Sequence, residues 1–477
     1  MTRINTNVPS LVASRILGRN TDSLNTALER LSTGLRINRG KDDPAGLIAS
    51  ETLRSEITAI GAAIENARRA DNIISVAEGG LQEVSALLIE LENLVDKTAN
   101  EAGLSDDEVA ANQLQVDSIL ESLNRIATST EFQGKKLLNG ELDYTTSGVT
   151  TGPTASAISD LRINSARIPN NGYRTVVVEV TASAQLARLV YSGATTGPGT
   201  TTLQIAGRYG TEQLSFASAS PVADVIAAVN ASKSLTGVSA RLSGGRVIFN
   251  STEYGVDAFV SVQAVSGTFT VTGGDTPTMD RGRNVAAKIN GVQAVASGLD
   301  LSVRTTALSA DMSLTSAFGT TVGNTKTFYV TGGGADFSIA PTLGINSLAS
   351  LGIQSVSTGT LGKSTIGFLQ SLGTGQVNQM SSGNFETAQR VVRESARQVS
   401  AMRGRLGAFQ KNTLASAISS LQVAFENTTA AESAIRDADF AHETSQLTRS
   451  QILVQSSFSV LQLANAAPRN VLALLGG

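Results

Sequence analysis

Mostly apolar residues recur every seven positions between residues 60 and 98 of the chain. One series begins at Ile60, and a second begins three residues later at Ala63. The two series are Ile60, Ala67, Ile74, Leu81, Leu88 and Val95, and Ala63, Ala70, Ala77, Val84, Leu91 and Thr98. Side chains at these spacings form one narrow stripe on a helix, as in a coiled coil. The pattern predicts one long helix.

The start of that helix is marked by the stretch "KDDPAGL". Asp43 is suited to cap the first free N–H groups, and Pro44 fits the first helical position. A helix from there to Asn100 has a length of about 85 Å, at about 1.5 Å per residue. One compact core does not cover that length. A second helix is expected after it, because Ser105 and Glu108 form a capping box.

Both ends of the chain carry similar narrow stripes of apolar residues. The residues expected to mediate self-assembly are Leu17, Leu24 and Leu31 near the start, Phe440, Leu447, Val454 and Leu461 near the end, and Leu472 and Leu475 in the final "NVLALLGG". The two ends are expected to pair as antiparallel helices. Ser, Thr, Ala and Asn dominate the other faces of the last helix, and such faces favour packing against further helices rather than exposure to water.

The middle of the chain is rich in Thr, Ser and Gly, with alternating β-branched residues. Strands are predicted at 174–182, 187–192, 238–251 (a hairpin about Gly244 and Gly245) and 259–274, with a helix at 222–232 and a hairpin at "NG", 139–140. The predicted fold class is therefore α+β. A long antiparallel α-helical coiled-coil rod is formed by both chain ends, and a β-rich central domain is inserted at its far end.

Composition excludes several classes of function. The net charge of −3 and the pI near 5.5 argue against nucleic-acid and polybasic membrane partners. There is no cysteine, and no run of apolar residues predicts a secretory signal or a membrane span. We expect no cofactor.

Candidate chemistry is weak along the whole chain. The one histidine, His442, is followed by Glu443, but a zinc-protease helix needs a second histidine where Gln446 stands. Gly362, Lys363 and Ser364 match the end of a phosphate loop, yet Ser357 occupies the position of its first glycine. No catalytic or metal-ligating set is therefore predicted, and the chain is not expected to be an enzyme.

The two ends resemble bacterial flagellin. The resemblance rests on "RLSTGLRIN" and "DDPAGL" within residues 4–57, on "RGRLGAFQKNTL" at 403–414, and on "TSQLTRSQIL" and "NVLALL" within 438–475. It implies a structural subunit that polymerises into the flagellar filament for motility, after export as an unfolded chain through the flagellar type III pathway. Within the middle, residues 222–263 resemble the hook-IN motif found as an insertion in such proteins.

The resemblance also implies a division of the chain and a set of partners. Segments 1–43 and 437–477 are expected to be terminal helices of the inner filament core, 44–175 and 356–436 the helical rod with β-hairpin elements, and 176–355 the β-rich outer domain. The expected partners are further copies of the chain in a helical homopolymer, hook-associated and cap proteins, and a flagellar export chaperone. The expected location is extracellular, in the filament.

One stretch departs from the family. Flagellins that activate their dedicated Toll-like receptor resemble one another at "LQRVRELAVQSAN", whereas this chain has "LIELENLVDKTAN". Glu90 and Glu92 stand where that motif has arginines, and Leu94 is retained. We therefore predict weak or absent receptor activation.

Three alternatives remain open from the sequence. The hook–filament junction protein has similar terminal helices. The other two are a secreted enzyme carried on a flagellin scaffold and a surface adhesin that acts through the β-rich domain.

Overall fold

The structure is a computed structural model that describes residues 6–475, apart from 101–102, 153–154, 170–171, 343 and 345–346. The α+β class is confirmed: helices occupy both ends of the chain and strands occupy the middle. The chain forms two compact units. The first comprises Met1–Arg68, Ser338–Leu343 and Leu414–Gly477, and the second comprises Arg69–Phe337 and Gly344–Thr413.

The helices are long near the two ends and short in the middle. They are α1 (Val8–Thr33), α2 (Pro44–Thr98), α3 (Asp106–Ser129), α4 (Val222–Ala231), α5 (Lys233–Thr236), α6 (Ser316–Gly319), α7 (Phe385–Ala408), α8 (Ala415–Arg436) and α9 (Phe440–Leu475). A π-helical turn, Phe409–Leu414, joins α7 to α8. None of the helices in the described part of the chain is long and apolar enough to cross a membrane.

The long helix α2 follows the sequence pattern closely. Its 55 residues begin at Pro44, and the Asp43 carboxylate accepts a hydrogen bond from the backbone N–H of Gly46 at 2.9 Å. All twelve residues of the two seven-residue series are buried. The capping box at the start of α3 is also present, with Ser105 and Glu108 each bonded to the other's backbone N–H.

In the first unit, helices pair in antiparallel fashion. α1 lies against α9, as hydrogen bonds from Asn7 to Ala464 and from Asn20 to Ser457 show. The beginning of α2 lies against α8, where Ile60, Ala63 and Ile64 form a small core with Leu421. The first residues of the α2 stripe thus face α8 of the same unit.

In the second unit, the later part of α2 packs with α3 and α7. Asp96 of α2 contacts Gln389 near the start of α7 at 2.6 Å, and Asp71 of α2 contacts Gln410 in the π-helical turn after α7 at 3.2 Å. The helices α2 and α7 are therefore antiparallel. Val392, Val399, Met402 and Leu406 of α7 are buried, as their spacing predicts.

The strands are short and antiparallel. They are β1 (Glu131–Phe132), β2 (Lys135–Lys136), β3 (Tyr144–Ser147), β4 (Ile158–Ala166), β5 (Arg174–Ala182), β6 (Leu186–Tyr191), β7 (Thr201–Gly207), β8 (Thr211–Phe216), β9 (Val238–Ser243), β10 (Arg246–Tyr254), β11 (Phe259–Ser266), β12 (Val271–Thr272), β13 (Met279–Arg281), β14 (Ala286–Ile289), β15 (Val292–Gln293), β16 (Val295–Ser297), β17 (Asp300–Arg304), β18 (Leu308–Leu314), β19 (Thr325–Gly333), β20 (Ala335–Ser338), β21 (Leu348–Leu351), β22 (Gly362–Lys363) and β23 (Gly367–Phe368).

The strands build two separate hydrophobic cores within the second unit. The first core lies between a five-stranded sheet, ordered β15-β14-β5-β19-β3, and a four-stranded sheet, ordered β16-β17-β18-β4. The second core lies between sheets ordered β12-β6-β10-β9 and β13-β11-β7-β8, and α4 packs on it. The segment 222–263 falls within the second core.

Two local predictions need comment. The hairpin expected at 139–140 is wrong: the chain turns earlier, at Gln133 and Gly134, where Gly134 has φ 81° and β1 pairs with β2. That turn requires a left-handed residue, which glycine adopts without steric cost. The boundary expected at residue 176 falls inside β5.

Candidate assembly surface

The helices α1 and α9 hold the residues expected to mediate self-assembly. Local capping fixes both helices: the Asn7 side chain accepts from the N–H of Ser10 at 3.1 Å, and Gly34 ends α1 with φ 74°. Asp439 accepts from the N–H groups of Ala441 and His442 at 2.9 and 3.1 Å, and thereby starts α9. Each helix therefore begins at a side chain suited to its free N–H groups.

The buried line between the two helices consists mainly of small residues. Its buried members are Ala13 and Ala27 on α1, and Glu443, Ser450 and Ser457 on α9. Glu443 is the one large residue among these five, and its carboxylate is paired with Arg30 at 3.0 Å. Small side chains allow the two backbones to approach closely, so little of the larger apolar side chains is enclosed.

The expected assembly residues lie beside this line rather than on it. Leu17, Leu24, Leu31, Leu447, Val454 and Leu461 are half-buried between the helices, and Phe440 is 59% exposed. Leu472 and Leu475 lie outside the residues whose side chains the structure describes. Six of these nine residues are thus half-buried on the paired helices α1 and α9.

Large apolar side chains remain exposed on the outer faces of both helices. We call this set the terminal apolar surface. It comprises Val8, Leu11, Val12, Ile16 and Leu28 on α1, and Phe440, Ile452, Leu453, Phe458, Val460 and Leu463 on α9. Leu11 is 65% exposed and Leu463 is 75% exposed. An exposed set of this size on paired helices marks an interaction surface.

The segment after α1 is tied to the break between α8 and α9. The N–H of Arg36 donates to the carbonyl of Arg436 at 2.7 Å, and the N–H of Ala438 donates to the carbonyl of Gly34 at 2.9 Å. Ile37 is buried beneath this contact. The "RLSTGLRIN" stretch is therefore hydrogen-bonded to the segment that joins α8 to α9.

The carboxylate next to that segment stabilises its turn. Asp42 accepts from the N–H groups of Arg39 and Asn38 at 2.9 and 3.2 Å. The hydrogen bond from Arg39 is the main cause that lowers the pKa of Asp42. An ionised Asp42 is thus part of the turn at neutral pH.

On α2, the three residues of the predicted receptor-sensing region differ in exposure. Glu90 is exposed, and Glu92 is half-buried in an ion pair with Arg393 at 2.7 Å. Leu94 is buried. The Glu90 carboxylate is therefore open to solvent, whereas Glu92 is held by Arg393 and Leu94 is covered.

One charged cavity has a volume of about 230 Å³ and lies between α7 and strands of the first core. Four of its charged side chains form two ion pairs: Lys363 pairs with Asp300 at 2.7 Å, and Arg397 pairs with Glu394 at 2.7 Å. Within the described residues, no group of three or more His, Cys, Asp or Glu side chains is placed to hold a metal ion. Ion pairs therefore hold four of the charged side chains that line this cavity.

Sequence reasoning missed the small residues on the α1–α9 line. Ala13, Asn20 and Ala27 are seven residues apart, as are Glu443, Ser450 and Ser457. A search for heptads of large apolar residues passes over such a series. A search for small residues at the same spacing finds it.

Comparison with known proteins places these helices in a family. Residues 4–143 match the model described as the bacterial flagellin N-terminal helical region, and residues 390–475 match that of the C-terminal helical region. The chain is 28% identical to flagellin D of Vibrio anguillarum over 474 residues, which is 99% of each chain. It is also 28% identical to the B-type flagellin of Pseudomonas aeruginosa over 526 aligned residues, again 99% of each.

Over a shorter alignment of 137 residues, the chain is 44% identical to polar flagellin F of Vibrio parahaemolyticus, which covers 29% of this chain and 36% of that protein. Nothing in these matches favours the hook–filament junction protein. Both helical regions occur in the order of the family, and proteins named flagellin align with the chain from end to end. The chain belongs to the bacterial flagellin family and is a structural subunit of the flagellar filament.

Proposed function

We propose that this subunit polymerises through the terminal apolar surface, which further copies of the chain cover in the filament. The observation that carries the proposal is the row of large apolar side chains left exposed on α1 and α9. Burying one such side chain contributes about 1.5 to 3 kcal/mol. The set as a whole therefore supplies a substantial driving force for assembly, and it has no cover within its own unit.

The same proposal assigns each segment of the chain to a position in the filament. Segments 1–43 and 437–477 form the inner core of the filament, and segments 44–175 and 356–436 form the helical rod around it. Residues 176–355 form the outer domain, which faces solvent. The hook-IN-like segment, 222–263, belongs to that domain and takes no part in the inner core.

Export and partner binding are further parts of the proposal. The subunit leaves the cell unfolded through the flagellar type III pathway, bound beforehand by an export chaperone, and is extracellular once assembled. It meets hook-associated proteins at one end of the filament and the cap at the other. Absence of cysteine supports this route, because no disulfide can trap the chain in a folded form.

Secretion assays test the export step. Full-length protein should appear in the medium of flagellated cells and should be retained in cells whose flagellar type III pathway is inactivated. Secretion that is equal in both strains contradicts this part of the proposal and leaves the assembly surface unaffected.

The last part of the proposal is that the subunit has a structural role and no catalytic one. The ion pairs Lys363–Asp300 and Arg397–Glu394 hold four of the charged side chains that line the cavity of about 230 Å³, which makes these four less available as acids, bases or nucleophiles. The subunit is therefore proposed to have no enzymatic activity. A hydrolase screen of the purified filament that detects turnover, lost on Lys363→Ala, would contradict it.

The assembly surface is tested by seeded polymerisation with two matched variants. Leu463 of α9 and Val295 of β16 are both 75% exposed. Leu463→Glu places a charge on the terminal apolar surface, where burial of an unpaired carboxylate is strongly unfavourable. We expect this variant to stop elongation of seeds, whereas Val295→Glu elongates them. Elongation is followed by electron microscopy, and circular dichroism verifies that both variants remain helical.

Elongation by Leu463→Glu at the rate of the unmodified protein would show that this surface is not an inter-subunit contact. Loss of elongation in both variants would show that the effect of a new charge is not specific to the terminal apolar surface.

A further inference from the structure

The buried line between α1 and α9 is nearly the same from one heptad to the next. On α1 it contains the buried Ala13 and Ala27 with the half-buried Asn20 between them. On α9 the buried Ser450 and Ser457 are followed at the same spacing by the half-buried Ala464, and Glu443 is the one large buried member. A slide of one helix by seven residues, about 10 Å, would place small residues opposite small residues again. Apolar packing along this line therefore distinguishes poorly between the observed register and its neighbours.

Polar contacts across the line do distinguish them. The Arg30 guanidinium donates to the Glu443 carboxylate at 3.0 Å, and the Glu443 residue is only 5% exposed. The Asn20 amide donates to the Ser457 hydroxyl at 2.7 Å, and the Asn7 amide donates to the carbonyl of Ala464 at 2.8 Å.

These contacts exist together in one register only. A slide of seven residues would carry Glu443 away from Arg30 and leave its carboxylate buried without a partner, an arrangement that proteins strongly disfavour. A single polar residue in an otherwise uniform helix–helix seam is known to specify register in this way.

We propose that the Arg30–Glu443 ion pair, together with the Asn20–Ser457 hydrogen bond, fixes the register of α1 against α9 and so determines which assembly surface a second copy meets. We call these two contacts the register pairs. The consequence for the filament rests on the proposed assembly function above. The statement about register does not.

The link to assembly comes from the terminal apolar surface, which is composed of side chains from both helices. Leu11 and Ile16 belong to α1, whereas Phe458 and Leu463 belong to α9. A slide of about 10 Å displaces one group relative to the other by two helical turns. The individual helices would remain intact, but the combined surface would no longer match that of neighbouring copies.

Cysteine cross-linking measures the register directly, because the natural chain contains no cysteine. Moving one heptad along both helices from the Asn20–Ser457 contact leads to Ala27 and Ser450, which are both buried. The pair Ala27→Cys/Ser450→Cys therefore reports the observed register. The pair Ala27→Cys/Ser457→Cys reports a slide of one heptad. A short thiol-reactive bifunctional reagent is applied to full-length protein, both soluble and in filaments.

In the unmodified background we expect cross-linking within one chain for the first reporter pair and little for the second. In the background Arg30→Met/Glu443→Leu/Asn20→Ala, which removes both register pairs, we expect the first cross-link to be lost and the second to appear. Filament elongation should fall in parallel. Arg39→Ala/Glu29→Ala, which removes an exposed ion pair of the same unit, is the matched control and should leave both reporters unchanged.

Charge exchange keeps the test decisive if the triple variant fails to fold. Glu443→Arg alone places two guanidinium groups together and should abolish the first cross-link, and Arg30→Glu/Glu443→Arg should restore it. Retention of the first cross-link in the triple variant, or in Glu443→Arg, overturns the proposal, as does failure of the exchanged pair to restore it. An intact first cross-link in unmodified protein that does not elongate seeds would refute the assembly surface instead.

Discussion

At the scale of single residues, burial sets the charge state of Asp143, which lies just before β3. Burial raises the pKa of this carboxyl to about 6, against the opposing effects of the N–H of Tyr144 and the guanidinium groups of Arg405 and Arg162. Burial likewise lowers the pKa of Arg405 to about 10. Asp143 is therefore a group whose ionisation opposes folding of the first core.

The sign of the resulting pH dependence follows from the direction of the shift. The pKa of Asp143 is about 6 in the folded chain and near 3.9 in an unfolded one, so the folded chain binds its proton more tightly. The protonated Asp143 carboxyl favours the folded chain over the unfolded one. This contribution to stability is fully present below about pH 4 and is lost as the pH rises through about 6. Its size is about 3 kcal/mol, from about 1.36 kcal/mol per pKa unit.

We therefore predict that Asp143→Asn stabilises the first core at pH 8 relative to the unmodified protein, by about 2 to 3 kcal/mol, and that the advantage disappears near pH 4. The amide oxygen can still accept from the N–H of Tyr144, as the carboxylate does at 2.8 Å. Calorimetric unfolding between pH 4 and 8 measures the difference. Asp257→Asn, which removes an exposed carboxylate, controls for the loss of one charge. An advantage that is independent of pH would show that Asp143 does not titrate in this range.

At the scale of elements, the sequence specifies the long helix far better than the terminal pair. The stripe on α2 is made of large residues that alternate with alanines, and all twelve predicted positions are buried. On α1 and α9 the large residues are only half-buried, and the buried line is small and polar. Heptad spacing identifies a stripe, but it does not identify which of two adjacent stripes faces the partner helix.

Helix ends were also predictable, because capping is a local interaction. The Asp43 cap and the Ser105–Glu108 capping box occur as the sequence predicts. The hairpin turn was placed wrongly because "NG" is only one of the sequences that allow a left-handed turn. Glutamine at position 133 has φ 52°, a conformation that sequence reasoning does not assign to glutamine.

The exposed side of α2 supports a prediction about receptor sensing. Glu90 is exposed and Glu92 is held by Arg393, so the helix presents acidic groups where receptor-activating flagellins carry arginines. An acidic partner that contacts arginines would meet like charges here. We predict weak or absent activation of the dedicated Toll-like receptor by monomeric protein titrated on reporter cells.

The variants for this test follow from the ion pair. Glu90→Arg/Glu92→Arg should gain activity, and Arg393→Glu should accompany it in a second variant so that the residue at position 92 keeps an oppositely charged neighbour. Glu83→Arg, at another exposed position of α2, serves as the control and should remain inactive. Strong activation by the unmodified protein, unchanged in the arginine variants, would contradict the prediction.

At the scale of the whole molecule, strand positions were predictable but strand partners were not. β5 was placed at 174–182 from alternation alone, and it occupies those residues. Its neighbours in the sheet are β14 and β19, which lie more than a hundred residues away in the chain. Alternation is a local property, whereas pairing at long range depends on how entire cores pack, so the two β cores were not separable from sequence.

The chain enters and leaves the second β core at one antiparallel β-bridge, between Gln185 and Arg283. The N–H of Gln185 donates to the carbonyl of Arg283 at 2.9 Å, and the N–H of Arg283 donates to the carbonyl of Gln185 at 2.9 Å. Two residues bonded in this way flank the turn of an ordinary two-residue hairpin, for which Asn-Gly is a favoured sequence. The chain between them can therefore be replaced by a short turn in the correct register.

We predict that replacing residues 186–282 with Asn-Gly removes the second core while the first core still folds and the subunit still elongates filament seeds. The buried residues of the first core lie outside the deleted segment, and so do the helices that carry the terminal apolar surface. One cost is expected, because Tyr254 packs partly against the first core and is lost. Calorimetry should show the loss of one unfolding transition, and electron microscopy should show filaments.

The control deletion starts one residue earlier, at Gln185, and so shifts the strand pairing, which turns side chains to the wrong face of the sheet. It should fold less stably than the first variant. Loss of elongation in the in-register variant, with its helices and first core intact, would show that the second core takes part in filament contacts.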